Sequence, residues 1–308
     1  MANSFAEKVI KFTGILDLIY KREALTAILE DNAAIWIGTN KIKVPKIAVQ
    51  GLGDYDRVNG YTKGNITVTY GEYELQYDRG RSFGVDIIDD DEAGFQVYAT
   101  ASTEFVRTQE IPEMDAIRFS TLFGLAGNTE AVLYDKTTAL GGYDNAREVL
   151  FEADVPEDQL LMFISPQYNT FLKQDTSIAR RVDVDKTVFT MNGIDRRVNM
   201  LDSEVPLIRV PRNRFFDTIS LLDGTTGGQE GGGYAPIAAT SKYLNFILGD
   251  RRAMKAYTKH NVKKVISWLD NQTSDENLVF FRVVHDLVVF DNKVNGIFAS
   301  SQVAVFDA

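Results

Sequence analysis

The sequence predicts an α+β chain organised around one long helix, with an extended β-ribbon before it and a mixed body of helices and strands after it. Three observations predict this. The run from Asp89 to Leu125 places apolar residues at Phe95, Tyr98, Ala101, Phe105, Met114, Ile117, Leu122 and Leu125, close to helical spacing. The stretch before it alternates instead. Ile66, Val68 and Tyr70 alternate with Thr67 and Thr69, then Tyr73, Leu75 and Tyr77 with Glu72, Glu74, Gln76 and Asp78. After Ser241 the chain turns to apolar strand-like runs, among them YLNFIL and ENLVFFRVVHDLVVF.

Composition narrows the classes of function. The chain has 308 residues, of which 44% are hydrophobic, so one elaborate domain or two ordinary ones can be built. Net charge is -10 and the pI is near 4.9, which does not suit a protein that grips a phosphate backbone. Cysteine is absent, which excludes disulfides, thiolate metal sites and cysteine nucleophiles. The N-terminal apolar run is interrupted by acids and has no signal-peptide core. No apolar run approaches the ~20 residues of a membrane helix, so no membrane partner is expected.

Taken in order, residues 1–35 read as an arm. Phe5, Val9, Phe12, Leu16 and Ile19 form an amphipathic pattern, and a second helical patch runs from Tyr20 to Glu30. Two placements are open, on its own subunit or docked on a neighbour. Residues 41–88 read as a long ribbon with its tip over GLGDYDRVNGYTKGN, rich in turn-forming Gly, Asp and Asn. Its one apolar face needs another surface, because a two-stranded ribbon is marginal alone. Arg79 and Arg81 at its base are expected to pair with Asp89 to Glu92 or with a neighbour's acids, as arginine favours carboxylates at interfaces. Those same acids cap the long helix, and Pro112 should kink or split it.

Beyond the helix, LLMFISP reads as a buried strand, and Ser165-Pro166 as an N-cap with proline at the first helical position. DNAREVLFEADVPEDQ holds a helix, while GIDRRVNM and VPLIRVP are strands. The glycine-rich stretch from Asp223 to Pro236 reads as a flexible loop. Asn271 to Asn277 reads as the turn of a long hairpin.

A search for chemistry assigns no catalytic residue, no cofactor-binding residue and no metal ligand. The two histidines are His260 and His285. His285-Asp286 suggests a dyad, yet adjacent strand residues point to opposite faces, so a structural histidine is the simpler reading. The acids of DIIDDDE lack the ordered pattern of a calcium loop. The glycine-rich loop lacks the Gly-Lys-Ser/Thr ending of a phosphate loop. KHNVKK with Arg251 and Arg252 reads either as a solvated strand face or as a partner surface.

Four short motifs in order carry a resemblance: DRGRSF, RTQEIPEMDAIRFS, VPEDQLLMFISPQYNTFL followed by VPLIRVPRNRF, and HDLVVFDNKVNGIFA. Together they resemble the major capsid proteins of tailed bacteriophages over roughly residues 20–300. The resemblance implies the HK-97-like capsid fold, shared with encapsulins and the herpesvirus capsid floor. On this chain it implies an N-terminal arm at 1–35 and an extended loop at 36–88. A peripheral domain would span 89–125 and 245–290, and an axial domain 126–244 and 291–308. It further implies a non-enzymatic shell protein of the virion, assembled in the host bacterial cytoplasm as hexamers and pentamers of an icosahedral head around double-stranded DNA, without sequence-specific contact.

The ribbon would then lie on the adjacent subunit, through Asp54, Tyr55, Asp56, Arg57 and Lys63 at its tip and Tyr73, Tyr77, Arg79 and Arg81 toward its base. Phe105, Arg107, Pro112 and Arg118 mark the spine helix. Many relatives carry a long N-terminal scaffolding segment. This chain reaches its ribbon by Lys41, so a separate scaffolding protein is expected, with a portal as a further partner. Some relatives join a loop lysine to a neighbour's asparagine. Lys63, Asn271 and Asn277 are the candidates here, but so polar a tip argues for a non-covalent shell. The alternatives are an encapsulin-type compartment with protein cargo and an α/β enzyme, for which the sequence offers no site.

Overall fold

In the computed structural model, the structure describes residues 23–31, 35–38, 40–86, 97–174, 187–191, 194–202 and 204–306. The amphipathic pattern of Phe5 to Ile19 and the acids Asp89 to Glu92 therefore lie outside the described residues.

The body is built on a seven-stranded mixed sheet. Its strands are β5 (Asn128–Ala131), β6 (Leu160–Ile164), β7 (Thr187–Met191), β8 (Ile194–Leu201), β9 (Val205–Arg209), β12 (Lys242–Asp250) and β15 (Ile297–Val305), in the order β5-β15-β12-β6-β9-β8-β7. Every residue of β6 is buried, as its unbroken apolar run predicts. It pairs antiparallel with β12 and parallel with β9. Its side chains alternate between two cores. Leu160, Met162 and Ile164 meet Tyr143, Ala146 and Leu150 of one helix and Tyr168 and Leu172 of the next. Leu161 and Phe163 face Phe119 and Leu122 on the opposite side.

Those two helices, here α3 (Ala139–Glu152) and α4 (Pro166–Gln174), cover one face of the sheet. The Ser165 hydroxyl accepts the Tyr168 N–H at 3.2 Å, the predicted N-cap. Helix α3 begins earlier than its sequence suggests and takes in Gly141 and Gly142. Asp135 accepts the N–H groups of Thr137 and Thr138 just before it. Gly142 has no room for a side chain, since a Cβ there would lie 2.4 Å from the Tyr134 ring.

On the other face runs the spine helix. Helix α1 (Val97–Phe105) passes through a π turn (Val106–Glu110) into α2 (Ile111–Leu125) without a break. Pro112 neither splits the helix nor ends it. Proline offers no N–H and crowds the carbonyl four residues back. A π turn lies directly before it, where the Ile111 N–H bonds Val106 O, five residues back, and the Thr108 hydroxyl donates to Glu104 O at 2.7 Å. Of the apolar pattern, Ala101 and Leu125 are exposed, whereas Met114, Ile117 and Leu122 are buried.

Helix α2 is buried almost all round because it lies between two sheets. Phe119 packs edge-on against Phe163 and Phe215 toward the seven-stranded sheet. Val106, Ile111 and Met114 pack on Val279, Phe281 and Val283 of a second sheet. That sheet has the order β13-β14-β4, with β4 (Tyr77–Asp86), β13 (Met254–Ile266) and β14 (Glu276–Val289) all antiparallel. The long hairpin read from the sequence is β13–β14. β12 remains with the seven-stranded sheet, so residue 245 falls inside a strand, and the second sheet takes over at Met254.

The segment from Glu23 to Asp31 is not helical throughout. It holds a 3-10 turn at Thr26–Leu29 and is packed into its own subunit, with Ala24, Ala27, Ile28 and Leu29 buried. Buried charges of α2 hold it there. Asp115 accepts the Leu25 and Thr26 N–H groups and the Thr26 hydroxyl, at 2.7 to 3.1 Å. Arg118, fully buried, donates to Thr26, Glu30 and Thr258. Backbone N–H groups that find a carboxylate have less need of a helical ladder. Removing one member of such a network strands its partner's charge. Asp115→Ala should therefore lower stability by about 3–5 kcal/mol, read as a lower urea midpoint at unchanged slope. Exposed Arg107→Ala, which loses a surface pair with Glu23, should cost under about 1 kcal/mol.

Candidate functional site: the ribbon and its root

Strands β2 (Lys41–Val49) and β3 (Ile66–Glu74) form the ribbon, with short β1 (Ile35–Ile37) beside Lys41–Lys43. Nine residues per strand span about 30 Å at ~3.3 Å each. The returning strand is not continuous. At Leu75 and Gln76 the chain leaves β2, and β4 joins β14 instead, from Tyr77↔His285 to Asp86↔Glu276.

The apolar alternation changes phase at this root. Register partners share a face: Val49 with Ile66, Ile47 with Val68, Pro45 with Tyr70. Ile42 and Tyr73 lie on the opposite face. That near face meets this subunit's own body, where Ile42 and Leu75 are buried with Tyr257 and Val288. Among the described residues the far apolar face is uncovered, with Ile47 64% and Ile66 65% exposed. The ribbon thus presents one greasy patch inward at its root and another outward along its length.

The tip is a tight turn. Asp56 and Gly60 exchange backbone hydrogen bonds, and Gly60 adopts φ 80°, which favours glycine. The Asp56 carboxylate accepts the Val58 N–H and the Asn59 amide at 2.7 Å, and these bonds hold its pKa below the ordinary value. The Tyr55 and Tyr61 rings pack at 4.9 Å, tilted 60° to one another. Asp54, Tyr55, Asp56, Arg57 and Lys63 are all exposed.

The root residues are engaged within this subunit. Tyr73 donates to Asp291, which also holds Lys46. Tyr77 stacks on His285 at 5.9 Å. Arg79 pairs with Glu113 of α2 at 2.5 Å and donates to the carbonyls of Leu222 and Gly233. Arg81 donates to the carbonyls of Glu230 and Gly231. Phe105 lies 4.8 Å from both Phe83 and Phe281. The glycine-rich stretch is thus a hairpin, β10 (Ile219–Leu221) with β11 (Tyr234–Pro236), whose loop closes on these arginines. Asn271 and Asn277 shape the β13–β14 turn: Asn271 donates to Ser274 and Glu276 O, and Asn277 accepts the Trp268 N–H.

His285 is 1% exposed, and its Nδ1 is buried without a hydrogen-bond partner among the described residues. Burial, then the nearby Arg118 and Arg79, push its pKa well below 6.5. Asp286 on the opposite face accepts the Gln76 N–H at 3.1 Å and fixes the root where the chain changes sheets. Burial raises its pKa.

No family model matches the sequence, and no curated protein matches it. Solved structures match in fold. The capsid structure of the cyanophage P-SCSP1u aligns with 91% of this chain and 87% of its own, at 10% identity and TM-score 0.57. The mature capsid of bacteriophage PhiM1 aligns with 87% and 83%, at 10% identity and TM-score 0.56. A virus-like particle from Pyrococcus furiosus aligns with 96% and 99%, at 10% identity and TM-score 0.54.

A histidine buried neutral contributes stability that is complete above its unfolded-state pKa and declines as pH falls below it. The chain should therefore lose stability as pH drops below about 6.5, and His285→Gln should flatten that part of the profile in urea titrations across pH. An unchanged slope in the variant would mean that other groups set the acid response. Across nearly its whole described length, the chain has the fold of these phage capsid and virus-like-particle proteins.

Proposed function

We propose that the chain is the major capsid protein of a tailed bacteriophage, a structural rather than enzymatic protein. The uncovered apolar face of the ribbon carries this reading. A surface of Val49, Ile66, Ile47, Val68 and Tyr70, held on strands about 30 Å long, stays half or more exposed among the described residues of its own subunit, with only Lys43 over the Tyr70 ring. Each such side chain contributes roughly 1.5–3 kcal/mol when fully buried. An identical neighbour supplies that burial, and repetition around a ring supplies it for every copy. The fold shared with capsid structures supports the same reading.

In the proposal, residues 1–35 begin as the arm, 36–88 form the extended loop, and 89–125 with the β13–β14 hairpin form the peripheral part. The seven-stranded sheet is the axial part. Hexamers and pentamers tile an icosahedral head around double-stranded DNA, assembled in the bacterial cytoplasm with a separate scaffolding protein and a portal. The net charge of -10 suits a wall that contains DNA without gripping it. The high mutual coverage with the Pyrococcus particle favours one second reading, a closed protein compartment. Purified particles distinguish the two by content, nucleic acid for a head and protein for a compartment.

Ile47→Asp with Val68→Asp tests the ribbon. Both residues are exposed, so the two opposed aspartates should lower unfolding free energy by no more than about 1 kcal/mol, while shells should vanish from electron micrographs. Normal shells from the double variant would refute the interface. The shell is also proposed to be non-covalent. Mature particles boiled in detergent should run as one band near 34.5 kDa, and a ladder resistant to boiling would show cross-links.

A further inference from the structure

We propose that the glycine hairpin between β10 and β11 is a clasp that sets the direction in which the ribbon leaves the body. The proposal concerns a single chain and stands apart from the shell reading. β4 is an edge strand, paired to β14 on one side, and it is the covalent continuation of β3. Whatever holds β4 therefore holds the ribbon. Tyr77, Arg79, Arg81 and Phe83 share one face of β4 by strand periodicity, and that face is where the hairpin and α2 dock.

The two arginines grip different parts of the hairpin. Arg79 Nη2 bridges Leu222 O and Gly233 O, at 2.8 and 3.2 Å, across the hairpin's neck. Its Nε holds Glu113 on α2. Arg81 reaches into the loop, with Nη1 on Gly231 O and Nη2 on Glu230 O, at 3.2 and 3.1 Å. The loop is shaped to receive it. Gly224, Gly232 and Gly233 have φ of 76°, 65° and 84°, a region other residues enter with strain. A Cβ at Gly232 would lie 2.8 Å from Arg81 Nη1, and at Gly224 3.1 Å. Composition alone describes a flexible linker, whereas the geometry describes a fitted cradle of carbonyls around a guanidinium.

The ribbon has a second attachment on the far side of β14. Lys46 and Tyr73 meet Asp291, and Ile42 and Leu75 meet Val288 and Tyr257. One attachment alone leaves rotation about it, and two on opposite sides of the root fix an angle. The clasp is the releasable one, because its hold on the hairpin is hydrogen bonds to carbonyls from a half-buried Arg79 and an exposed Arg81, while the other includes a buried apolar cluster.

The test measures the angle. The chain lacks cysteine, so Lys63→Cys at the tip and Lys173→Cys on α4 give one unique spin-label pair. Labelled chain is diluted into unlabelled chain so that distances within one molecule are read. The pair is compared in the parent, in Arg79→Gln with Arg81→Gln, and in Gly232→Val, which keeps both arginines. Amide exchange is followed in the same proteins. Exchange in 222–233 should accelerate roughly tenfold in both variants while β6 stays protected, and the tip-to-body distance distribution should broaden or shift. If the hairpin loosens and the distribution is unchanged, the clasp does not set the direction. If the hairpin stays protected in the arginine variant, the arginines do not hold it, and the proposal fails at its first step.

Discussion

Asp115 and Arg118 lie one turn apart on α2, both without solvent contact, and each must be answered inside the protein. Asp115 takes four hydrogen bonds, two from backbone N–H groups, one from Thr26 and one from Arg214 at 3.1 Å. Arg118 answers Glu30 and Thr258. The node joins four pieces distant in sequence: the segment before β1, the spine helix, β13, and the turn at Arg212–Arg214. A hydrophobic core tolerates sliding, but this arrangement does not, since any shift leaves a charge unanswered in a low-dielectric interior. The node fixes where the chain enters the body, and so where β1 and the ribbon begin.

The spine helix works as a partition as much as a rod. Its two flanks serve separate cores, one shared with the seven-stranded sheet and one with the three-stranded sheet that carries β4. The π turn sits at the junction of α1 and α2, just ahead of Pro112, and the helix continues past both. Glu110 closes that turn, buried 4.0 Å from Lys263 of β13. The irregularity in the helix thus falls where it faces the second sheet.

Much of this architecture is legible in local pattern. The unbroken apolar run of β6, the Ser165 cap and the paired runs of β13 and β14 each state their structure within a few residues. The phase change of the ribbon is written in the sequence too, since Ile66, Val68 and Tyr70 occupy even positions and Tyr73, Leu75 and Tyr77 odd ones. Read as one alternation it gives one face; only the exit of the chain from β2 at Leu75 separates the two. Arg118 on the helix pattern gives no sign that it is buried, because its partners come from Glu30 and Thr258. The glycine hairpin misleads most. Its carbonyls are bound by Arg79 and Arg81, some 150 residues earlier, and composition carries no trace of that contact.

The uncovered ribbon face also bears on how a solitary chain behaves in solution. Along its distal length the ribbon has two open strand edges beside an apolar surface, the combination that recruits other strands indiscriminately. Few charges interrupt it there. Lys41 and Lys43 sit opposite Glu74 and Glu72 near the root, and Val49, Ile47, Val68 and Ile66 lie beyond them. What keeps two such chains apart is the long-range repulsion of a net charge of -10, which fades over about 10 Å in 0.1 M salt. Ionic strength therefore acts as a throttle on encounter. In dilute salt that repulsion slows encounter between ribbons, and in concentrated salt it is screened away.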